Sequence, residues 1–303
     1  MAKLECEIAG IKMKNPVMVA SGTFGYGEEA SKFIDLDKLG AIVTKTITLE
    51  PREGNPPPRI VETPSGMLNS IGLQNKGVDD FIKNRLPFLA KFETPVIANI
   101  AGDSAKEYAE LVKKLNDQPT VKGIELNISC PNVDKGGLVF GTDPKATADL
   151  VKLVRKQTKL PLIVKLSPNV TDITVIAKAA EEAGADALSL INTLLGMSID
   201  IKTGKSRLGR PMAGLSGPAI RPVAVRMVYQ CAQAVKIPII GVGGIMTGSD
   251  AIEFLLAGAS AIQVGTGNFV DTQTPLKILG ELEEYLTAQQ LNNHLALVGK
   301  FTD

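Results

Sequence analysis

Apolar residues in this chain gather in short runs that alternate with longer segments of helical spacing. The runs are 17–20, 41–46, 95–100, 123–128, 160–166, 185–191, 237–242 and 261–265. Each is β-branched and near-continuously apolar, the pattern of parallel strands covered on both faces. Segments with helical spacing lie between them. One spans 104–115 with Ser104 as N-cap, and another starts at Asp143-Pro144 with proline in the first turn. Two more, 171–183 and 248–257, end at Gly184 and Gly258. The phrases Glu-Ala-Gly-Ala-Asp-Ala at 182–187 and Leu-Ala-Gly-Ala-Ser-Ala at 256–261 both read as helix, glycine C-cap, strand.

Eight strand–helix units predict a closed (β/α)8 TIM barrel, one domain over 1–303. An open doubly wound sheet is the competing fold, but it needs edge strands, and none of these runs is charged or shortened enough to be one. Residues 4–14 alternate and turn at Ala9-Gly10, a hairpin placed to plug the barrel bottom. Connections 49–74, 131–142 and 193–216 are too long for simple βα loops, and all follow a strand's C-terminal end, where barrel active sites lie. The first holds Asn55-Pro-Pro-Pro-Arg59. The third holds Gly204, Gly209 and Gly214 among basic residues, a composition that points to mobility.

Composition narrows the chemistry. Among 303 residues, 33 Lys plus Arg balance 32 Asp plus Glu, which gives no electrostatic case for nucleic acid or an anionic membrane as partner. The N-terminus has no apolar leader, and no run approaches the ~18 apolar residues of a membrane span. Cys6, Cys130 and Cys231 lie far apart with no C-x-x-C, which argues against a disulfide framework, a zinc site or an iron–sulfur cluster within this chain and places it in a reducing cytoplasm. His294 is the single histidine and lies in a polar stretch near the C-terminal end, which argues against a histidine metal site or a Ser-His-Asp triad. Acid–base work falls to other side chains or to a cofactor.

The strand ends carry the candidates. They are Ser21, Lys45 and Thr46, Asn99, Asn127 with Cys130, Lys165, and Asn192-Thr193, followed by glycine turns at 241–244 and 265–267. Such turns after strands seven and eight suit a phosphate on backbone N–H groups, and a mononucleotide or sugar phosphate fits better than NAD. With no carboxylate evident at the strand ends, Lys45 and Lys165 point to an anionic ligand or a Schiff base. Asn69, Asn99, Asn127, Asn132 and Asn192 suit a flat amide or imide edge. Cys130, between asparagines and stopped by Pro131, is the leading general base.

Asn-Ile-Ser-Cys-Pro-Asn at 127–132, Ser-Gly-Thr-Phe-Gly at 21–25, Thr-Lys-Thr at 44–46, Asn-Ser-Ile-Gly-Leu at 69–73, Ile-Asn-Thr at 191–193 and Gly-Val-Gly-Gly-Ile at 241–245 together resemble the dihydroorotate dehydrogenase family over essentially the whole chain. Cysteine at the base position resembles class 1, and the stretch at 136–144 resembles the NAD-linked 1B form more than the fumarate-using 1A form. The resemblance implies FMN held by Ser21, Lys45, Thr46, Asn99, Asn127, Lys165, Ile191, Gly217, Gly243, Gly244, Gly265 and Thr266. It places Lys165 near the pyrimidine end of the ring. It implies dihydroorotate held by Lys45, Asn69, Ser70, Ile71, Gly72, Leu73, Asn127, Asn132, Asn192 and Thr193, with Cys130 taking the C5 proton as a hydride leaves C6. With no second nucleotide fingerprint in the chain, it further implies a partner subunit carrying FAD and a 2Fe-2S cluster, in a heterotetramer built on a homodimer. A Schiff-base lyase or isomerase acting on a sugar phosphate is the alternative from another enzyme class.

Overall fold

The computed structural model of the chain describes residues 3–128 and 137–302. Eight parallel strands close into a barrel: β1 (Val17–Val19), β2 (Ala41–Val43), β3 (Val96–Ile100), β4 (Val121–Asn127), β5 (Leu162–Lys165), β6 (Ala187–Leu190), β7 (Ile239–Val242) and β8 (Ala261–Val264), with β8 pairing back onto β1. These are the eight apolar runs, seven of them trimmed at their ends, while the fourth begins two residues earlier at Val121. The 41–46 run stops as a strand at Val43, and beyond it the Lys45 amide donates to the Gly25 carbonyl in the preceding loop at 2.8 Å.

The outer layer contains helices α1 (Ala105–Asn116), α2 (Pro144–Arg155), α3 (Ile173–Glu182), α4 (Arg221–Ala234), α5 (Gly248–Leu256) and α6 (Thr274–Ala288). Their starts follow local chemistry. Ser104 accepts from the Glu107 amide, Asp143 from Ala146 ahead of Pro144, and Thr247 forms a reciprocal capping box with Asp250. Gly184 and Gly258, at φ +101° and +115°, end α3 and α5 as the repeated phrase predicts. The β1–β2 connection departs from the expected helix and carries two 3₁₀ turns, Ala30–Lys32 and Leu36–Lys38.

Strand parity sorts the residues. Val96, Ala98 and Ile100 of β3, like Ile124 and Leu126 of β4, pack outward against the helices. The inward positions form layers. At the bottom, Met18, Ala41, Val43, Ile97, Ile163, Ala187, Ile240 and Ala261 meet Ile8, Ile11 and Met13 of the N-terminal hairpin, whose strands Cys6–Ile8 and Ile11–Met13 do plug the barrel. Each of the three hairpin side chains contributes about 1.5–3 kcal/mol by leaving water. Above them the inward positions turn polar: Asn99, Glu125, Lys165, Ser189 and Gln263, all buried.

The two longest connections are more ordered in secondary structure than their composition suggests. Ile60–Thr63, Gly66–Asn69, Leu194–Gly196 and Ala213–Ser216 form a four-stranded antiparallel sheet beside the mouth. Gly214, read as part of a mobile loop, is a strand residue paired with Asn69.

His294 sits in a polar stretch of sequence yet is fully buried beside the C-terminal cluster of Leu4, Leu255, Leu282 and Leu286. Burial pushes its pKa down to about 4 from 6.5, against a smaller opposing effect of the Ser260 backbone. The unfolded chain therefore binds the proton first as pH falls. Stability from neutral His294 is complete above pH 6.5 and is lost toward pH 4, by up to about 3 kcal/mol. Urea unfolding across that window should show a steeper loss in the wild type than in His294→Leu; parallel curves would refute this.

Candidate active site

A cavity opens at the C-terminal ends of the strands. Its floor and walls hold Ser21, Lys45, Thr46, Asn127, Lys165, Ile191, Asn192 and Thr193. The glycine turns supply Gly243, Gly244, Gly265 and Thr266, Gly217 follows the last covering strand, and the 69–74 segment supplies Asn69, Ile71, Gly72, Leu73 and Gln74. Nearly all of the site residues expected from sequence thus converge on one cavity. Cys130 and Asn132 lie outside the described residues. Asn99 and Ser70 sit behind the lining: Asn99 donates to Glu125, and the Ser70 hydroxyl accepts from the Asn55 amide at 3.0 Å.

The amide cluster is held from several sides. Asn192 donates to Asn127 Oδ1 at 3.1 Å, and the Asn127 amide points to Thr46 Oγ1 at 3.5 Å. The Asn127 carbonyl accepts from the buried Tyr108 hydroxyl of α1 at 2.8 Å, which anchors the end of β4 where the chain runs on toward Cys130. Lys45 is half-buried beside this cluster. Burial, and then the Arg59 guanidinium, pull its pKa below the ordinary lysine value. A cation held this way gains most from a carboxylate that replaces its lost water. Arg59 also fixes the rim, donating to Gln74 Oε1 at 2.8 Å and to the carbonyls of Asn55 and Glu53 at 2.5 and 2.9 Å.

The turns after β7 and β8 form the opposite end. Gly244 adopts φ +76°, and a Cβ there would lie 2.7 Å from the Gly217 carbonyl and 2.8 Å from Arg221 Cβ. Only glycine lets these two segments approach so closely. The Thr266 hydroxyl donates to Ser216 at 2.8 Å and joins the second turn to the covering sheet. A backbone cradle at one end and cations with amides at the other fit an elongated ligand carrying a phosphate on a planar ring. Among the described residues no group of His, Cys, Asp and Glu could hold a metal, and no helix is long and apolar enough to cross a membrane.

One expectation is corrected here. Lys165 does have a carboxylate partner: Glu125 Oε1 lies 3.8 Å from its Nζ. Glu125 sits two residues before the end of β4, and strand parity turns it inward, as it does Lys165, which pairs one inward position further along β4 with Asn127. Ser189 and Gln263 complete the layer and were also missed. Inward parity within apolar strands was the signal available for all three. Gln74, Ser216 and Phe269, which line the cavity, had no such signal, because their contacts depend on how the loops fold back.

The family model described as dihydroorotate dehydrogenase matches residues 3–286. Among curated relatives, the protein named dihydroorotate dehydrogenase B (NAD(+)), catalytic subunit, of Geotalea daltonii is 58% identical over 301 residues, 99% of each chain. The proteins of that name in Geotalea uraniireducens and Geobacter sulfurreducens are 58% and 57% identical over 296 residues, covering 98% of this chain and 97% of their own.

Proposed function

Because the chain belongs to the dihydroorotate dehydrogenase family, we propose that it is the catalytic subunit of an NAD-linked enzyme oxidising (S)-dihydroorotate to orotate in pyrimidine synthesis. The observation that carries this reading is the two-ended cavity, with a glycine cradle facing a lysine and amide cluster across one barrel mouth. FMN bound there supplies a two-electron acceptor for the hydride leaving C6. Gly243, Gly244, Gly265 and Thr266 would hold its phosphate, with Ser21, Lys45, Thr46, Asn127, Lys165, Ile191 and Gly217 around the remainder. Asn99 supports that floor from beneath, through Glu125.

The chain's own groups divide the rest of the work. Lys45 neutralises the substrate carboxylate. Asn69, Asn127, Asn132 and Asn192, with the 70–73 backbone and Thr193, read the amide and imide edges and fix the ring against rotation. Cys130, as thiolate, takes the proton from C5 while the C5–C6 double bond forms. The covering sheet keeps bulk water from the reacting face.

Electrons then leave for NAD through a partner subunit, for which FAD and a 2Fe-2S cluster are the fitting relay. The relatives' printed name, a catalytic subunit, supports such a partner. A homodimer of this chain with two partner subunits is the assembly that the family resemblance suggests. Fumarate as direct acceptor is the second reading. The isolated chain, loaded with FMN and given dihydroorotate, should turn over slowly with NAD until the partner is added. Rapid NADH formation by the chain alone would remove the partner, and rapid succinate formation from fumarate would favour the second reading. A colourless chain trapped by borohydride would overturn both in favour of a lysine Schiff base.

A further inference from the structure

We propose that Glu125 is a positioning residue that acts through Lys165, setting how much positive charge the cavity floor presents to the ring bound above it; this rests on the flavin reading of the site. Glu125 is fully buried and does not line the cavity, whereas Lys165 does. Its carboxylate is gripped from four other strands. Asn99 of β3 donates to Oε1 at 2.6 Å, Lys165 of β5 lies 3.8 Å from Oε1, and Ser189 of β6 and Gln263 of β8 donate to Oε2 at 2.8 and 2.9 Å.

A carboxylate in such a place is costly unless paired and hydrogen-bonded. This one is both, so its geometry is fixed by the barrel rather than by solvent. The ammonium stands between this fixed negative charge and the cavity. The pair is close to neutral, with its positive end toward the ligand. Removing the negative member leaves the floor with a net positive charge, which favours the electron-rich form of a bound ring. Removing one donor instead leaves the carboxylate less neutralised and acts in the opposite direction.

Glu125→Gln preserves the side chain's shape. Gln263 Oε1, buried with no partner among the described residues, is available to accept from the new amide once the Gln263 amide rotates. Reference-dye potentiometry on the full chain loaded with FMN should show the two-electron equilibrium shifted toward reduction about tenfold, about 30 mV. Ser189→Ala should shift it by a few-fold toward oxidation. Opposite signs, with FMN still bound, support the proposal. Two variants at the wild-type potential, or both displaced the same way, overturn it, even if thermal stability falls as a purely structural role would require. A wild-type chain that cannot hold FMN overturns the reading of the site and this inference together; a yellow chain with unmoved variants overturns this inference alone.

Discussion

Cys130→Ala is expected to slow reduction of bound FMN by dihydroorotate about 10²–10⁴-fold while leaving FMN affinity within a few-fold, the loss associated with removing one positioned base. The chain enters this cysteine from Asn127, whose carbonyl is fastened to Tyr108 and whose amide belongs to the ligand-facing cluster. Histidine is not an alternative base, because His294 is buried in the C-terminal cluster away from the cavity lining. Stopped-flow measurement of flavin absorbance would read the effect directly. Cys130→Ser should recover rate only as pH rises, because a serine hydroxyl loses its proton far less readily than a thiol of pKa ~8.5. Near-normal reduction by the alanine variant, or an unchanged pH profile for the serine variant, would remove Cys130 from proton transfer.

Lys45→Met should weaken dihydroorotate and orotate binding by roughly 10- to 100-fold, the value of a charge-assisted hydrogen bond in a sheltered site. Its pH dependence follows from the environment. Burial and Arg59 lower the free-site pKa of Lys45. A bound carboxylate raises it again, so affinity is full below the depressed value and falls as pH climbs through it, with proton uptake on binding in that range. Arg59→Met removes the repulsive neighbour and should move the alkaline limb to higher pH, although it also frees Gln74 at the rim. Orotate titrations by flavin difference spectra from neutral to alkaline pH separate these effects. An alkaline limb that persists in Lys45→Met would assign it to another group.

The barrel was legible because burial on both faces makes parallel strands read as apolar runs, and because Ser104, Asp143, Gly184 and Gly258 mark helix ends by local chemistry alone. The cavity was legible because barrel geometry sends strand ends to one face. Glu125 was overlooked for a physical reason. A charge surrounded by Ile124, Leu126 and Ile128 in sequence looks stranded, and only the register that aligns Asn99 with Glu125, together with the inward turn of Lys165 on the next strand, reveals its partners. The covering sheet was hidden for a related reason. Its pairing of Asn69 with Gly214 joins segments remote in sequence, and nothing local in a proline- and glycine-rich loop foretells it. The same composition that suggested motion supplies the close approach: a Cβ on Gly214 would lie 2.2 Å from Thr193 Oγ1.

The join between β8 and β1 has a consequence for how the protein is loaded. It is the one place where the barrel pairs its first strand with its last, and the Asn268–Thr23 hydrogen bond across it spans 245 residues of chain. Loop closure over such a separation costs about 5 kcal/mol by the logarithmic chain-length term alone. Ser21 and Gly22 lie on one side of this seam and Gly265 and Thr266 on the other, and all four face the cavity. A ligand that bound there would touch both sides of the seam and so would favour the closed cylinder over an opened one, in proportion to its free concentration.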